Sequence, residues 1–78
     1  MSAVQAQRSA LPAVMGRRVR ELRETRGLGQ TEFAGILGTT QSAVSRIEAG
    51  DGANLRLSTL EQLAWALDAE LVIELRPR

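Results

Sequence analysis

The feature that most constrains this chain is a pair of short helical patterns separated by only three residues. The first pattern predicts a helix over residues 30–37, and the second predicts a helix over residues 41–49. Their apolar residues, at helical spacing, are Phe33, Ala34, Leu37, Ala43, Val44 and Ile47. Between them, Gly38 favours the end of one helix and Thr40 favours the N-terminal cap of the next. The segment therefore predicts two helices packed against each other across a tight turn.

Two further helical patterns flank this pair. Pro12 suits the first turn of a helix that carries Met15, Val19 and Leu22 on one side and ends at Gly27. A capping box over residues 58–61 begins a fourth helix, whose inward stripe is Leu60, Leu63, Ala64 and Leu67. Residues 1–11 are small and polar and predict a flexible tail. We therefore expect one helical domain over residues 12–69.

The hydrophobic period changes at residues 70–75. Apolar side chains follow one another there, interrupted by Glu74 and soon followed by Pro77, which predicts one short strand. A strand needs a partner for its backbone, and the chain has no second strand candidate. The economical partner is the same strand of another copy, antiparallel about a two-fold axis; the alternative is a final helical turn packed on the core. The residues expected at this dimer interface are Leu71, Val72, Ile73 and Leu75. The predicted fold is thus all-α, with four helices and one short C-terminal strand in a dimerisation segment over 70–78.

The third predicted helix presents two unlike faces. Its apolar residues fall on one side, and its outward residues are Gln41, Ser42, Ser45 and Arg46. A face of small and amide side chains lets a helix lie deep in a groove, where Gln can contact adenine and Arg can contact guanine or phosphate. The plain alternative is an ordinary solvated surface.

Composition excludes several classes of function. The chain has 78 residues, no Cys and no His, which removes disulfides, thiolate ligands and the commonest general base. No metal site, cofactor or paired-carboxylate site is expected, and we predict that the protein is not an enzyme. Neither a membrane span nor a signal peptide is predicted, so we expect a cytoplasmic protein.

Charge is distributed unevenly although the net charge is +1. Residues 8–26 hold six arginines against two glutamates, whereas residues 48–74 hold six acidic residues against Arg56. Every basic residue is Arg, whose planar donor fork suits phosphates and guanine edges. The pattern favours nucleic acid weakly, because Arg17–Glu21 and Arg20–Glu24 can also pair along one solvated helix face.

Residues 29–50, GQTEFAGILGTTQSAVSRIEAG, resemble the helix-turn-helix core of the XRE family, which includes phage repressors, Cro proteins and many antitoxins. The match continues through RRVRELRETRGL before it and LSTLEQLAWAL after it, so it spans residues 17–67. The resemblance implies that the third helix is the recognition helix in the major groove of double-stranded DNA.

The resemblance also implies a role for each matching residue. Gln41, Ser42 and Arg46 would lie nearest the base edges, with Ser45 beside them. Thr40 would cap the recognition helix and touch a thymine methyl or a phosphate, and Gln30 would contact phosphate and brace Gln41. An internal salt bridge would join Arg23 to Glu48. Arg56 would approach the DNA backbone or the minor groove, and Arg17 and Arg18 are weaker candidates for phosphate contact.

Some positions depart from the family pattern. Gly29 replaces a usual Ser or Thr, Gly35 lies inside a helix, and Ile36 and Trp65 are apolar where the family is usually polar. Ile36 and Trp65 either close the edge of a small core or form a partner surface. The final strand, in place of a fifth helix, is similar to that of HipB-type antitoxins, whose C-terminal strands pair across the dimer; HigA-type antitoxins share much of the helical core.

The subgroup implies a homodimeric repressor that binds an inverted-repeat operator, autoregulates its own operon and binds a co-encoded toxin. That toxin would be a HipA-like kinase or a HigB/RelE-like RNase. Two alternatives stay open: a stand-alone phage-type or restriction-controller regulator without a toxin, and a protein-interaction module that does not bind DNA.

Overall fold

The chain folds into four helices. The computed structural model describes residues 3–53 and 55–78, and the surroundings of side chains from residue 10 onward. The helices are α1 (Ala3–Thr25), α2 (Gln30–Leu37), α3 (Gln41–Glu48) and α4 (Leu57–Ala66). No helix in the described part of the chain is long and apolar enough to cross a membrane. The all-α class predicted from the sequence is confirmed.

Helix α1 begins much earlier than predicted. It starts at Ala3 and continues through Pro12, so residues 3–11 of the predicted tail are helical in the structure; Met1 and Ser2 lie outside the described residues. This N-terminal stretch is rich in Ala and Gln, which have high helix propensity even without an apolar period. Pro12 removes one backbone donor, yet the helix continues through it.

One small core joins all four helices. Val19 of α1, Phe33 and Ala34 of α2, Val44 of α3, and Leu63 of α4 are buried, as is Leu67 just after α4. Phe33 is a fully enclosed member of this cluster. Because each helix contributes its predicted apolar stripe, the core fixes α3 relative to α1 and α2.

The turn between α2 and α3 has the predicted form. Gly38 has a φ of 72°, a left-handed conformation that glycine adopts without strain, and its N–H bonds to the end of α2. The Thr40 side chain accepts a hydrogen bond of 3.1 Å from the Ala43 N–H and so caps α3. Gly29 has no side chain with which to cap α2, but its N–H donates to Oε1 of Glu32 at 3.3 Å. Both helices therefore begin at fixed positions.

Helices α1 and α3 approach each other more closely than side chains would allow. A Cβ atom added to Gly16 would lie 2.4 Å from the carbonyl oxygen of Ile47 and 2.8 Å from that of Glu48. A Cβ on Gly52, in the loop after α3, would similarly meet the ring of Pro12 at 2.6 Å. The backbone of α1 thus contacts the C-terminal end of α3 directly.

The end of the chain differs in part from expectation. Helix α4 begins at Leu57 with Arg56 as its N-cap, so the capping box predicted at residues 58–61 does not begin this helix. Residues 69–78 have neither helix nor strand, which rules out the alternative of a final helical turn. The strand predicted over 70–75 requires a second copy, which a single chain does not provide, and it stays a prediction.

Candidate nucleic-acid interface

A hydrogen-bonded chain of four side chains runs from the interior to the exposed edge of α3. The Arg23 guanidinium donates to both carboxylate oxygens of Glu48, with Nε–Oε2 at 2.6 Å and Nη2–Oε1 at 2.9 Å. Gln30 Nε2 donates to Glu48 Oε1 at 3.2 Å. Gln41 Nε2 donates to Gln30 Oε1 at 2.7 Å. The first residues of α2 and α3 are thereby linked to a buried ion pair.

This chain of hydrogen bonds has a fixed direction. An ionised carboxylate only accepts hydrogen bonds, so Gln30 must turn its NH₂ group towards Glu48. The Gln30 oxygen then faces Gln41, and Gln41 must donate to it from its own NH₂ group. One N–H and the carbonyl oxygen of Gln41 remain for other partners. These are the two groups that a glutamine uses to contact the N7 and N6 atoms of adenine.

Glu48 remains charged although its side chain is only 4% exposed. Burial by itself raises the pKa of a carboxyl group, but the hydrogen bonds from Arg23 and Gln30 and the charge of Arg23 outweigh it, so the pKa of Glu48 lies below its ordinary value. The hydrogen bond to Glu48 likewise raises the pKa of Arg23. The ionised state that directs the two glutamines therefore persists at neutral pH.

The residues predicted to face DNA lie at the surface of α3 and its cap. Thr40, Gln41, Ser42 and Arg46 are exposed, and Ser45 is half-buried. Gln30 is half-buried because it lies between Glu48 and Gln41. Val44 and Ile47 hold the opposite side of α3 against the core. The exposed edge consequently carries short or amide side chains and one arginine.

Most arginines of α1 have acidic partners within the chain. Arg18 pairs with Glu21 at 3.2 Å, and Arg20 pairs with Glu24 at 2.7 Å. Glu21, the partner expected for Arg17, therefore pairs with Arg18 instead. In the part of the chain that the structure describes, Arg17, Arg46 and Arg56 are exposed and form no ion pair. These three and Arg78, which is likewise exposed and forms no ion pair with a described residue, hold positive charge available to a phosphate, rather than the whole basic segment.

Two contacts of the scaffold had no signal in the sequence. Arg23 Nη1 donates to the carbonyl oxygen of Leu28 at 2.7 Å, which ties the end of α1 to the turn before α2. Arg26 Nε donates to the carbonyl oxygen of Leu67 at 2.9 Å, and its Nη2 lies 3.3 Å from Asp68 Oδ2. Arg26 therefore satisfies the C-terminal end of α4. Contacts of this kind cannot be predicted from residue spacing, because every residue has a backbone carbonyl oxygen.

The apolar residues set apart in the sequence are exposed. Trp65 is 76% exposed on α4 and Ile36 is 46% exposed on α2, so Trp65 does not close the edge of the core. Among the predicted dimer residues, Leu71 is half-buried, and Val72, Ile73 and Leu75 are exposed in the single chain.

The fold and this surface define a DNA-binding protein of the helix-turn-helix class. The model of the helix-turn-helix domain family matches residues 14–76, and the chain belongs to this family, in its XRE-type form. The family and the fold are those of DNA-binding regulators.

Comparisons with individual proteins agree with this assignment. The chain is 41% identical over 59 residues to the putative antitoxin HigA2 of Mycobacterium tuberculosis, a match that covers 76% of this chain and 58% of the relative. It is 36% identical over 62 residues to the putative antitoxin HigA3 of the same organism, covering 78% and 57%. The chain thus spans little more than half the length of these curated relatives. The crystal structure of the restriction-modification controller protein C.AhdI of Aeromonas hydrophila superposes with a TM-score of 0.72 and 39% identity, covering 80% of this chain and 88% of that one.

Proposed function

We propose that this protein is a homodimeric, sequence-specific repressor that reads an inverted-repeat operator with α3. Gln41, Ser42 and Arg46 contact base edges, and Ser45 lies beside them. Thr40 contacts a thymine methyl or a phosphate, and Gln30 contacts phosphate. Arg56, and more weakly Arg17, contact phosphate. Two copies related by a two-fold axis would place their recognition helices about one helical turn apart, roughly 34 Å.

The observation that supports this proposal best is the chain of hydrogen bonds from Arg23 to Gln41. An exposed glutamine ordinarily samples many rotamers, and ordering it upon binding costs conformational entropy. Here Gln41 is held by Gln30 at 2.7 Å with an unused donor and acceptor outward. A surface glutamine without a recognition role would not need this support, whereas one that reads a base benefits from it.

Selection of bound sequences from a random double-stranded DNA pool tests the proposal. The expected result is one inverted repeat, with an adenine–thymine pair whose preference disappears in the Gln41→Ala variant. Recovery of unrelated sequences without two-fold symmetry, or no binding, would contradict it. Gln62→Ala, an exposed glutamine on α4, is the matched control and should recover the same sites as the parent.

We further propose that the regulator is the antitoxin of a toxin–antitoxin operon, because two of its relatives are named as putative antitoxins. The partner would be a toxin of the HigB/RelE-like RNase or HipA-like kinase type. Exposed Trp65 and Ile36 are the candidate contact residues. If so, a neighbouring toxin gene should arrest growth alone and be neutralised by this chain but not by Trp65→Ser, while Trp65→Ser still binds the operator.

A stand-alone controller is the second candidate function. It is favoured by the similarity to C.AhdI, which covers 88% of that chain rather than little more than half. The controller function would be supported if this protein binds the promoter of a neighbouring restriction or methyltransferase gene and no neighbouring gene encodes a toxic product.

A further inference from the structure

The C-terminal segment lies against an apolar groove that the rest of the domain leaves open. The groove is formed by α1, α4 and the loop between α3 and α4, and Leu11, Met15, Leu55 and Leu60 line it beside residues 71–75. Leu71 is half-buried there, yet Ile73 is 61% and Leu75 97% exposed. A single chain therefore leaves most of this apolar segment in water.

The backbone of the same segment lacks partners. Within the described residues, the last backbone–backbone hydrogen bond outside the helices joins the Ala69 N–H to the Ala64 carbonyl, and residues 70–78 form none. Strand-forming residues with unpaired N–H and C=O groups are a template for another strand. A second copy of this segment supplies such a strand, with the same alternation of side chains.

Alternation of side chains restricts how two copies can pair. In a strand, Leu71, Ile73 and Leu75 share one face, and Glu70, Val72, Glu74 and Arg76 share the other. Opposed residues of an antiparallel pair point to the same face, so the two-fold axis must pass through a residue rather than between two. An axis between Val72 and Ile73 would oppose Leu71 to Glu74 and mix the faces. An axis at Leu71 or Leu75 would pair only three residues of the 70–76 segment, so the registers that pair most of it have the axis at Val72, Ile73 or Glu74.

Charge selects among these three registers. An axis at Val72 opposes Glu70 to Glu74, and an axis at Glu74 opposes two copies of that carboxylate. An axis at Ile73 opposes Glu70 to Arg76 on each side and Leu71 to Leu75. Opposite charges across a strand pair stabilise it, whereas like charges destabilise it. Arg76, which pairs with Glu74 of its own chain at 2.9 Å, is exposed and free to change partner.

Pro77 is compatible with the register whose axis passes through Ile73. With the axis at Ile73, Pro77 opposes Ala69 and belongs to the same alternate set as residues 71, 73 and 75. Pro77 has no N–H, so this set forms the non-hydrogen-bonded pairs, while the pairs 70–76 and 72–74 exchange hydrogen bonds. The two Ile73 residues then face each other directly, with Cα atoms about 4.5 Å apart.

We propose that two copies of this chain pair through residues 70–76 as antiparallel strands whose two-fold axis passes through Ile73, with reciprocal Glu70–Arg76 ion pairs. The paired ribbon turns six apolar side chains towards the grooves of the two domains. This inference rests on the homodimer of the proposed function and specifies its interface.

Disulfide mapping tests the register, because the parent chain has no cysteine. Ile73→Cys should cross-link into dimers under mild oxidation in the 78-residue chain without DNA. Val72→Cys or Glu74→Cys alone should not, because diagonal neighbours lie about 7–8 Å apart, at or beyond the roughly 7 Å limit for a disulfide. An equal mixture of the Val72→Cys and Glu74→Cys proteins should form the mixed dimer.

Charge exchange tests the ion pairs by sedimentation. Glu70→Arg and Arg76→Glu should each weaken the dimer, between about two-fold and 30-fold for two symmetry-related pairs. The double variant should recover most of the parent affinity. Glu61→Arg, the same charge change on an exposed position of α4, is the control and should leave the dimer unchanged. Circular dichroism of each variant verifies that the helices are retained.

Cross-linking of Val72→Cys alone would place the axis at Val72 and overturn the register, and cross-linking of all three single variants would indicate parallel strands. A parent protein that stays monomeric at high concentration would overturn the pairing itself. None of these readouts uses DNA, so failure of the interface and failure of operator binding are separate results.

Discussion

The guanidinium of Arg23 and the carboxylate of Glu48 form a two-bond ion pair whose shorter distance is 2.6 Å and whose side chains are 9% and 4% exposed. The pair joins the end of α1 to the last residue of α3. Since Gln30 and Gln41 are attached to it, one buried contact holds α3 in place and orients its first side chain.

Replacing Arg23 by Met should lower the free energy of unfolding by about 3–5 kcal/mol, because it leaves the Glu48 carboxylate buried without its partner. The double variant Arg23→Met/Glu48→Met should lose less than Arg23→Met alone, since no unpaired charge remains. Urea denaturation followed by circular dichroism measures both. Arg20→Met removes an exposed pair with Glu24 and should change little; equal losses for Arg20 and Arg23 would contradict the assigned role.

The stability of the fold should depend on pH through Glu48. Its pKa is lower in the folded protein than its ordinary value near 4.5, so the unfolded chain takes up this proton at higher pH than the folded chain does. The contribution is therefore complete above pH 4.5 and is lost as the pH falls through the folded pKa. Urea titrations between pH 7 and pH 3 should show a smaller acid loss for Glu48→Gln than for the parent. Parallel curves for the two proteins would exclude this linkage.

Gln30→Met should reduce discrimination at the base pair read by Gln41 while leaving the fold intact. Methionine has a similar length but cannot hold the Gln41 amide, which then turns freely. We expect the preference for adenine at that position to fall towards that of Gln41→Ala, a change of about 1–3 kcal/mol. Fluorescence anisotropy with operators altered at single base pairs measures it, and Gln62→Met is the control. Unchanged discrimination would mean that Gln41 does not need this support.

Two glycines should respond in opposite ways to the same substitution. Gly16→Ala should destabilise the fold by about 1–3 kcal/mol, because the new Cβ would lie 2.4 Å from a backbone oxygen of α3 that cannot move alone. Gly35→Ala has nothing within 4 Å of the new methyl group, lies inside α2, and should stabilise by roughly 0.5–1 kcal/mol. Thermal unfolding of both variants provides the comparison, and a stable Gly16→Ala protein would show that α1 can withdraw from α3.

Arg56, one of the arginines without an ion pair, should act on affinity rather than on specificity. Arg56→Gln should weaken binding almost equally for all DNA sequences and reduce the salt-dependence slope by about 1. Arg18→Gln, whose guanidinium pairs with Glu21 at 3.2 Å, should have the smaller effect. Binding isotherms between 50 and 200 mM salt (roughly the range over which phosphate contacts are resolved) measure both slopes. A sequence-dependent loss for Arg56→Gln would instead make it a base-reading residue.

The sequence predicted the parts of the fold that depend on local pattern. Apolar spacing and the positions of Gly38 and Thr40 placed α2 and α3 correctly, because caps and amphipathic stripes act within a few residues. The Arg23–Glu48 pair, expected from the family resemblance, is present at 2.6 Å.

The features that the sequence did not predict depend on helix propensity alone or on contacts with backbone atoms that are distant in the sequence. The start of α1 was missed because Ala and Gln favour helix without any apolar period to mark it. The role of Gly16 was missed because its cause is a carbonyl of residue 47, which lies in another helix. The contacts of Arg23 to the Leu28 carbonyl and of Arg26 to the Leu67 carbonyl depend on tertiary structure in the same way.

Donation runs in one direction only, from Gln41 to Gln30 and from Gln30 to Glu48, and under the proposed function this direction limits how the protein can acquire new DNA targets. Position 41 faces the Gln30 oxygen and must supply a donor, which Lys, Arg or Asn could provide. Asp or Glu, the side chains that accept from cytosine, would place two acceptors against each other. Under the proposed function, a change of target to cytosine through Asp or Glu at position 41 should therefore need a second substitution at position 30, whereas a change to guanine through Lys or Arg should not.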